Sequence, residues 1–292
     1  MNNQEFKQYL INKRYKSKTV ETRLRDVQLF FDWLKLQNIN PAEVSYADLL
    51  AYVKFCRSRG NKLTTLKQKM KSVQLFYAFL VSQKQIPLNP CDDIKLRKGT
   101  KNIPSNILSI EELEELYEKI PADSPISKRN KVILSLMIYQ GLETGAIRKL
   151  RQEDVKLEQG KLYVPPTKRG NSRTLDLKIN QILLLQNYIT NIRPYLLSQR
   201  LDKTELLFFS NGTGTQLTSV FNNLVKRLKS INPKVTGVKQ IRVSVIVHWL
   251  SIYSLREVQY LAGHRYVSST EHYCIDNLKN LQEQINNLHP LK

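Results

Sequence analysis

The feature that most restricts the fold is the spacing of apolar residues over positions 3–88. Val20, Leu24, Val27, Phe30, Phe31 and Leu34 recur close to the 3.6-residue period of an α-helix. Leu66, Met70, Val73, Phe76, Tyr77 and Leu80 do the same further on. This pattern predicts helices over Gln4–Lys13, Lys16–Gln37 and Thr64–Gln83. Another opens at Ser45, where Asp48 takes the acidic place of a capping box, and stops at Gly60-Asn61. Helices this close in sequence can bury their stripes only against one another, so residues 1–94 are expected to form an all-helical bundle.

Residues 95–105 (KLRKGTKNIPS) are basic, lack periodicity and read as a linker. From 106 the pattern changes. Ser109 with Glu112 opens a helix to Lys119, and Lys131–Gln140 is apolar on most faces, as a core helix must be. Leu157, Leu162 and Val164 flank Gln159-Gly160, and Arg173–Leu177 alternates polar with apolar, which predicts a small antiparallel sheet. Helices are expected at Ile179–Ser198, Thr218–Ser230 and 277–288. Leu206–Phe209 reads as buried strand or turn, and Ser210–Gly214 as a flexible loop. The fold class is therefore mainly α with a small antiparallel sheet, in two domains, 1–94 and 106–292.

Charge narrows the partners. The 292 residues carry 46 Lys and Arg against 25 Asp and Glu, a formal +21. Residues 1–105 hold 20 basic and 8 acidic side chains (+12), and the rest hold 26 and 17 (+9). A chain this basic is expected to meet a polyanion, with double-stranded DNA as the default. Lys16 and Lys18 load the start of one expected helix; Lys62, Lys67, Lys69 and Lys71 load the start of another. The longest apolar runs are too short for a bilayer, and the N-terminus lacks a secretory layout. Cys56, Cys91 and Cys274 are scattered and without CxxC spacing, which suggests a reducing, cytoplasmic setting and gives no support to a metal site.

Chemistry concentrates between Gly237 and Tyr273. Lys239 and Arg242 are three apart, so on a helix they share a face and can hold one anion. In Leu261-Ala262-Gly263-His264 a histidine follows a glycine at which a helix would stop. Nine residues on stands Tyr273. Singly these are a solvated helix face, a cap and one of 14 tyrosines. Together, in this order, they suit attack on a phosphodiester by a phenol.

The segment resembles the second conserved box of the tyrosine recombinases, the phage integrase family. That box runs His or Lys-x-x-Arg, then Leu-Gly-His, then the nucleophilic tyrosine nine residues later. Here it reads Lys239, Arg242, Leu261-Ala262-Gly263-His264 and Tyr273, with Val243-Ser244 in place of the usual His-Thr. Gly141-Leu142-Glu143-Thr144-Gly145-Ala146-Ile147 resembles the first box, Gly-Leu-Arg-x-x-Glu-Leu, with Glu143 where the family has its arginine and Ala146 where it has its glutamate.

The resemblance implies a helical core-binding domain followed by a catalytic domain that closes on the duplex. It implies strand exchange through a 3′-phosphotyrosine on Tyr273, with no metal and no cofactor. Arg242, Lys239 and His264 would hold the phosphorane. Lys168, on the basic turn Thr167–Ser172, would protonate the leaving 5′ oxygen, with Arg169 in reserve. Nearby cations are expected to ease ionisation of Tyr273. Arg148 or Lys149 could substitute for the first arginine, or the enzyme could work without it, as some conjugative-transposon integrases of the family do. A homo-oligomer on DNA, a tetramer in the synapse, would be coupled by helix 277–288. The implied function is that of a mobile-element recombinase; the rivals are a DNA-binding relative that does not cut and a relaxing topoisomerase of the same chemistry.

Overall fold

The computed structural model describes residues 3–94, 96, 106–168, 170–210 and 217–274. Arg169, the helix expected at 277–288, most of the 210–214 loop and all of the expected linker but Leu96 lie outside the described residues. The chain divides into two compact units, 1–101 and 102–292.

In the first unit α1 (Asn3–Asn12), α2 (Ser17–Leu36), α3 (Tyr46–Ser58) and α4 (Leu63–Ser82) form the bundle. The Ser45 hydroxyl accepts from the Asp48 N–H, and the Asp48 carboxylate accepts from the Ser45 N–H at 2.9 Å, so both halves of the α3 capping box are made. Phe30, Trp33 and Tyr52 interlock at the centre. In the first halves of α2 and α4, Ser72 donates to the buried Asp26 at 2.8 Å, and Arg23 donates to Ser72 and to the Gln68 carbonyl. Further along, Phe31 meets Phe76 and Phe30 meets Tyr77 edge-on. Residue numbers rise together on both helices, so α2 and α4 run parallel and open at the same end of the bundle.

The second unit is built on α6 (Pro125–Tyr139), which follows α5 (Ile110–Lys119) and whose residues Val132–Ile138 are almost all buried. This helix starts six residues before the expected Lys131 (131 − 125). Ser124 caps it, and Ser127, Arg129 and Asn130 are polar residues turned inward, which a hydrophobic-period reading takes for surface. Arg129 Nη1 finds the Phe209 carbonyl at 2.8 Å. A short α7 (Thr144–Ile147) leads to β1 (Val155–Lys156), β2 (Lys161–Val164) and β3 (Arg173–Asp176). They make an antiparallel sheet in the order β1-β2-β3, with Leu162 opposite Leu175 and Val164 opposite Arg173.

The expected helix at 179–198 is two helices, α8 (Ile179–Asn187) and α9 (Arg193–Ser198), joined by a π turn at Tyr188–Ile192. Pro194 near the start of α9 has no N–H to give, and the wider turn absorbs that loss. Then come α10 (Thr218–Ile231), α11 (Val238–Ile252) and α12 (Leu255–Ala262). Helix α6 packs against α5, α8, α9 and α11, which brings the end of α6 beside the helix that carries Lys239 and Arg242. No helix among the described residues is long and apolar enough to cross a membrane.

Candidate active site

Arg242 is fixed by backbone oxygens from two distant turns. Its Nη1 donates to the carbonyl of Gly141, just past α6, and its Nη2 donates to that of Ala262 at 2.8 Å, at the end of α12. Nη2 also meets His264 Nε2 at 3.2 Å. Both turns need glycine. Gly141 has φ +57°, and a Cβ there would come within 2.8 Å of the Trp249 ring. Gly263 has φ +68° and closes α12 as a left-handed cap. A guanidinium has five N–H groups, so the remaining Nη1 hydrogen and Nε–H are the ones without a protein acceptor among the described residues. Lys239, one helical turn earlier, is exposed and lines the same cleft, of about 430 Å³.

Guanidinium can only donate, so His264 Nε2 is the acceptor; Nδ1 then carries the proton and donates to the buried Thr270 hydroxyl at 2.9 Å. Burial first, then the charges of Arg242 and Arg173, push this imidazole down to about 4, so it is neutral near pH 7. In this state His264 orients Arg242 and has no spare donor for a phosphate, unlike the donating role expected of it. Tyr273 lies on a helical stretch at 268–274, with its ring stacked on His264 at 5.9 Å and 6°. It packs on the apolar clusters of Val243 and Val247 on α11 and of Ile246, Val258 and Ala262 between α11 and α12. Burial raises the pKa of its phenol; Arg242 pulls the other way, and Glu143 pushes further up. The expected easing by a nearby cation is there in Arg242, but desolvation outweighs it and the net shift is upward. Ser244, where the family has threonine, accepts from the Leu108 N–H at 2.9 Å and pins residues 106–108 to α11.

The β2–β3 hairpin closes the other side. Asn171 N–H donates to the Gly263 carbonyl at 2.9 Å, Gly170 bridges to His264, and the Tyr260 hydroxyl bonds the backbone of Thr174. The turn that carries Lys168 is thereby tied to the turn that carries His264. Lys168 itself is exposed, and the cleft is lined by its neighbours Thr167 and Gly170.

Glu143 also lines the cleft, its carboxylate accepting from the Thr167 hydroxyl at 3.1 Å. The two residues expected to substitute for the first arginine lie elsewhere. Arg148 donates to Thr218 and stacks on Phe221, while Lys149 donates to the Pro166 carbonyl at 2.8 Å; neither lines the cleft. One turn of α7 separates them from Glu143 and aims them at α10 and the hairpin base. A cation that the motif reading passed over does line it: Arg173, the first residue of β3, only 6% exposed. Its signal was present, since it alternates in phase with the inward Leu175 and Leu177 and so puts an arginine in a core position. The cleft therefore gathers Lys239, Arg242 and Arg173 against one carboxylate.

Comparison with known proteins agrees with this architecture. The phage integrase family profile matches residues 106–279, and the family's N-terminal SAM-like domain matches residues 4–84. The tyrosine recombinase XerC of Bacillus pumilus strain SAFR-032 is 27% identical over 293 residues, covering 98% of this chain and 95% of its own. XerC of Bacillus subtilis strain 168 is 28% identical over 296 residues, again 98% and 95%. Among solved structures, XerH bound to palindromic difH substrate in a post-cleavage complex superposes with a TM-score of 0.72 at 19% identity, over 91% of this chain and 78% of that one. The Tn1549 transposon integrase in complex with circular intermediate DNA does so at 0.68 and 17% identity, over 94% and 95%. At such identities the superpositions speak for the fold alone. The sequence profiles cover most of the chain, and on them this protein is a member of the phage integrase family, the tyrosine recombinases.

Proposed function

We propose that the protein is a site-specific recombinase of a mobile element that cuts and rejoins double-stranded DNA through Tyr273. One observation carries the reading: Lys239, Arg242, His264 and Tyr273, spread over 35 positions (273 − 239 + 1), line a single cleft. In the reaction the Tyr273 phenol gives its proton to solvent water, and its oxygen bonds to the phosphorus as the bond to the 5′ oxygen breaks. The 5′ oxygen takes a proton from Lys168, the reach of which depends on the hairpin's closing onto the duplex. Arg242, preset by two carbonyls and His264, turns its free donors to the non-bridging oxygens, where a preorganised cation acts most strongly. Bond energy is kept in the phosphotyrosine, so a second strand's hydroxyl reseals the DNA without a cofactor.

The bundle's parallel helices support the DNA part of this reading. Lys16 and Lys62 stand at the N-caps of α2 and α4, and neither helix has an acidic residue in its first turn. Cations at the positive end of a helix dipole are mildly unfavourable in isolation. They make sense where backbone phosphates meet those N–H groups. Glu143 supports a second reading, a DNA-binding relative that does not cut, because a carboxylate beside the phosphate opposes the charge of the transition state. Tyr273→Phe separates the two. In the recombinase reading it abolishes denaturation-resistant DNA adducts formed by wild type while leaving DNA affinity in place. Tight binding with no adduct from wild type would favour the second reading.

A further inference from the structure

Arg173 is held differently from Arg193, a buried arginine at the start of α9. Arg193 has its Nε and Nη2 bonded to the carbonyls of Thr204 and Leu206. Arg173 is as deeply buried, yet its Nε reaches the Leu261 carbonyl at 2.8 Å while its Nη2, buried too, has no hydrogen-bond partner among the described residues. The guanidinium lies against Gly263, where a Cβ would fall on Nη1 and within 2.7 Å of Cζ. Gly263 is thus the opening through which this side chain enters the cleft beside Arg242, His264 and Tyr273. Glu143 is held by Thr167 and makes no ion pair with Arg173. A buried, charged donor left without an acceptor is costly, and an anion in the cleft would supply the acceptor.

We propose that Arg173 is a catalytic residue that holds a non-bridging oxygen of the scissile phosphate through Nη2, supplying from β3 the guanidinium that position 143 lacks. This rests on the phosphoryl-transfer reading above. Arg242 approaches the phosphate from α11 and Arg173 from the sheet, so two planar forks flank it from different elements. The charge that grows on the phosphorane is then met by two arginines, with Glu143 turned to the hairpin.

The test uses the full chain with nicked suicide duplexes tiled across both flanks of its own gene. Each carries either an ordinary phosphate or a methylphosphonate, which lacks one negative oxygen, at the cut site. On the ordinary phosphate, Arg173→Ala should slow Tyr273 adduct formation about 100-fold or more, the loss typical of removing one transition-state donor. DNA affinity should stay near wild type. On the methylphosphonate the gap between wild type and Arg173→Ala should shrink by about tenfold or more, because one charge no longer needs a cation. Arg173→Lys, which keeps the charge without the fork, should fall between them and provides the test if the alanine variant unfolds. An equal defect on both substrates would reduce Arg173 to a brace for the 261–264 turn, and full activity of the variants would remove it from the reaction. If wild type forms adducts on no duplex, the phosphoryl-transfer reading itself fails and the role of Arg173 goes with it.

Discussion

Gly263, His264 and Glu143 set the behaviour of single residues around the cleft. Gly263→Ala combines a positive φ with a Cβ aimed at the Arg173 guanidinium, so it should destabilise the second unit by about 1–3 kcal/mol, read as a lower urea midpoint. A protein of unchanged midpoint would show that Arg173 yields freely. His264 has a folded pKa near 4, below the 6.5 of a free imidazole. Between those values the unfolded chain binds the proton and the folded chain does not, so stability rises with pH across the window. The contribution is complete above about pH 6.5 and is lost as pH falls towards about 4. Urea titrations of wild type and His264→Asn should diverge in slope there, the variant's profile being flatter; parallel profiles would contradict the assignment. Glu143 raises the Tyr273 phenol pKa, so Glu143→Gln should let Tyr273 react at lower pH, seen as an acid-side shift in the adduct-rate profile.

At the scale of elements, the cleft is a join between the β2–β3 hairpin and the α12–His264 turn. Tyr260→Phe removes the hydroxyl that bonds Thr174, at a cost of about 1 kcal/mol, and should loosen the hairpin that carries Lys168. The adduct rate should fall more than the stability does; equal stability and equal rate would mean the hairpin is held without that bond. Much of this level is legible in the sequence. The period of α2 and α4, the Ser45 and Ser109 capping boxes and the alternation of β3 are local signals, and local physics builds those elements. The start of α6 is not legible, because Arg129 and Asn130 are polar residues satisfied by distant carbonyls and neighbours that only the tertiary fold supplies. Arg173 alternates onto the inward face of β3, but a motif reading misses it because the carbonyl that holds it belongs to a turn 88 residues away. Arg148 and Lys149 are near in sequence and look suitable, but α7 points them outward.

For the whole molecule, charge placement matters more than its total. The Lys16, Lys18 and Lys62 ends of two parallel helices form one basic end of the first unit, so neutralising all three should weaken DNA binding across sequences alike. The slope of log affinity against log salt should fall by about 0.9 for each phosphate no longer neutralised, and an unchanged slope would place the DNA elsewhere. The central claim is that a cleft with a carboxylate in the first-arginine position still joins DNA to Tyr273. Its most direct test is to trap wild type on a nicked duplex, digest the denatured adduct and locate the attached nucleotide by peptide mass spectrometry. The account predicts a phosphodiester-linked nucleotide on the peptide that contains Tyr273. Attachment to any other residue, or none while the same DNA is tightly bound, would contradict it.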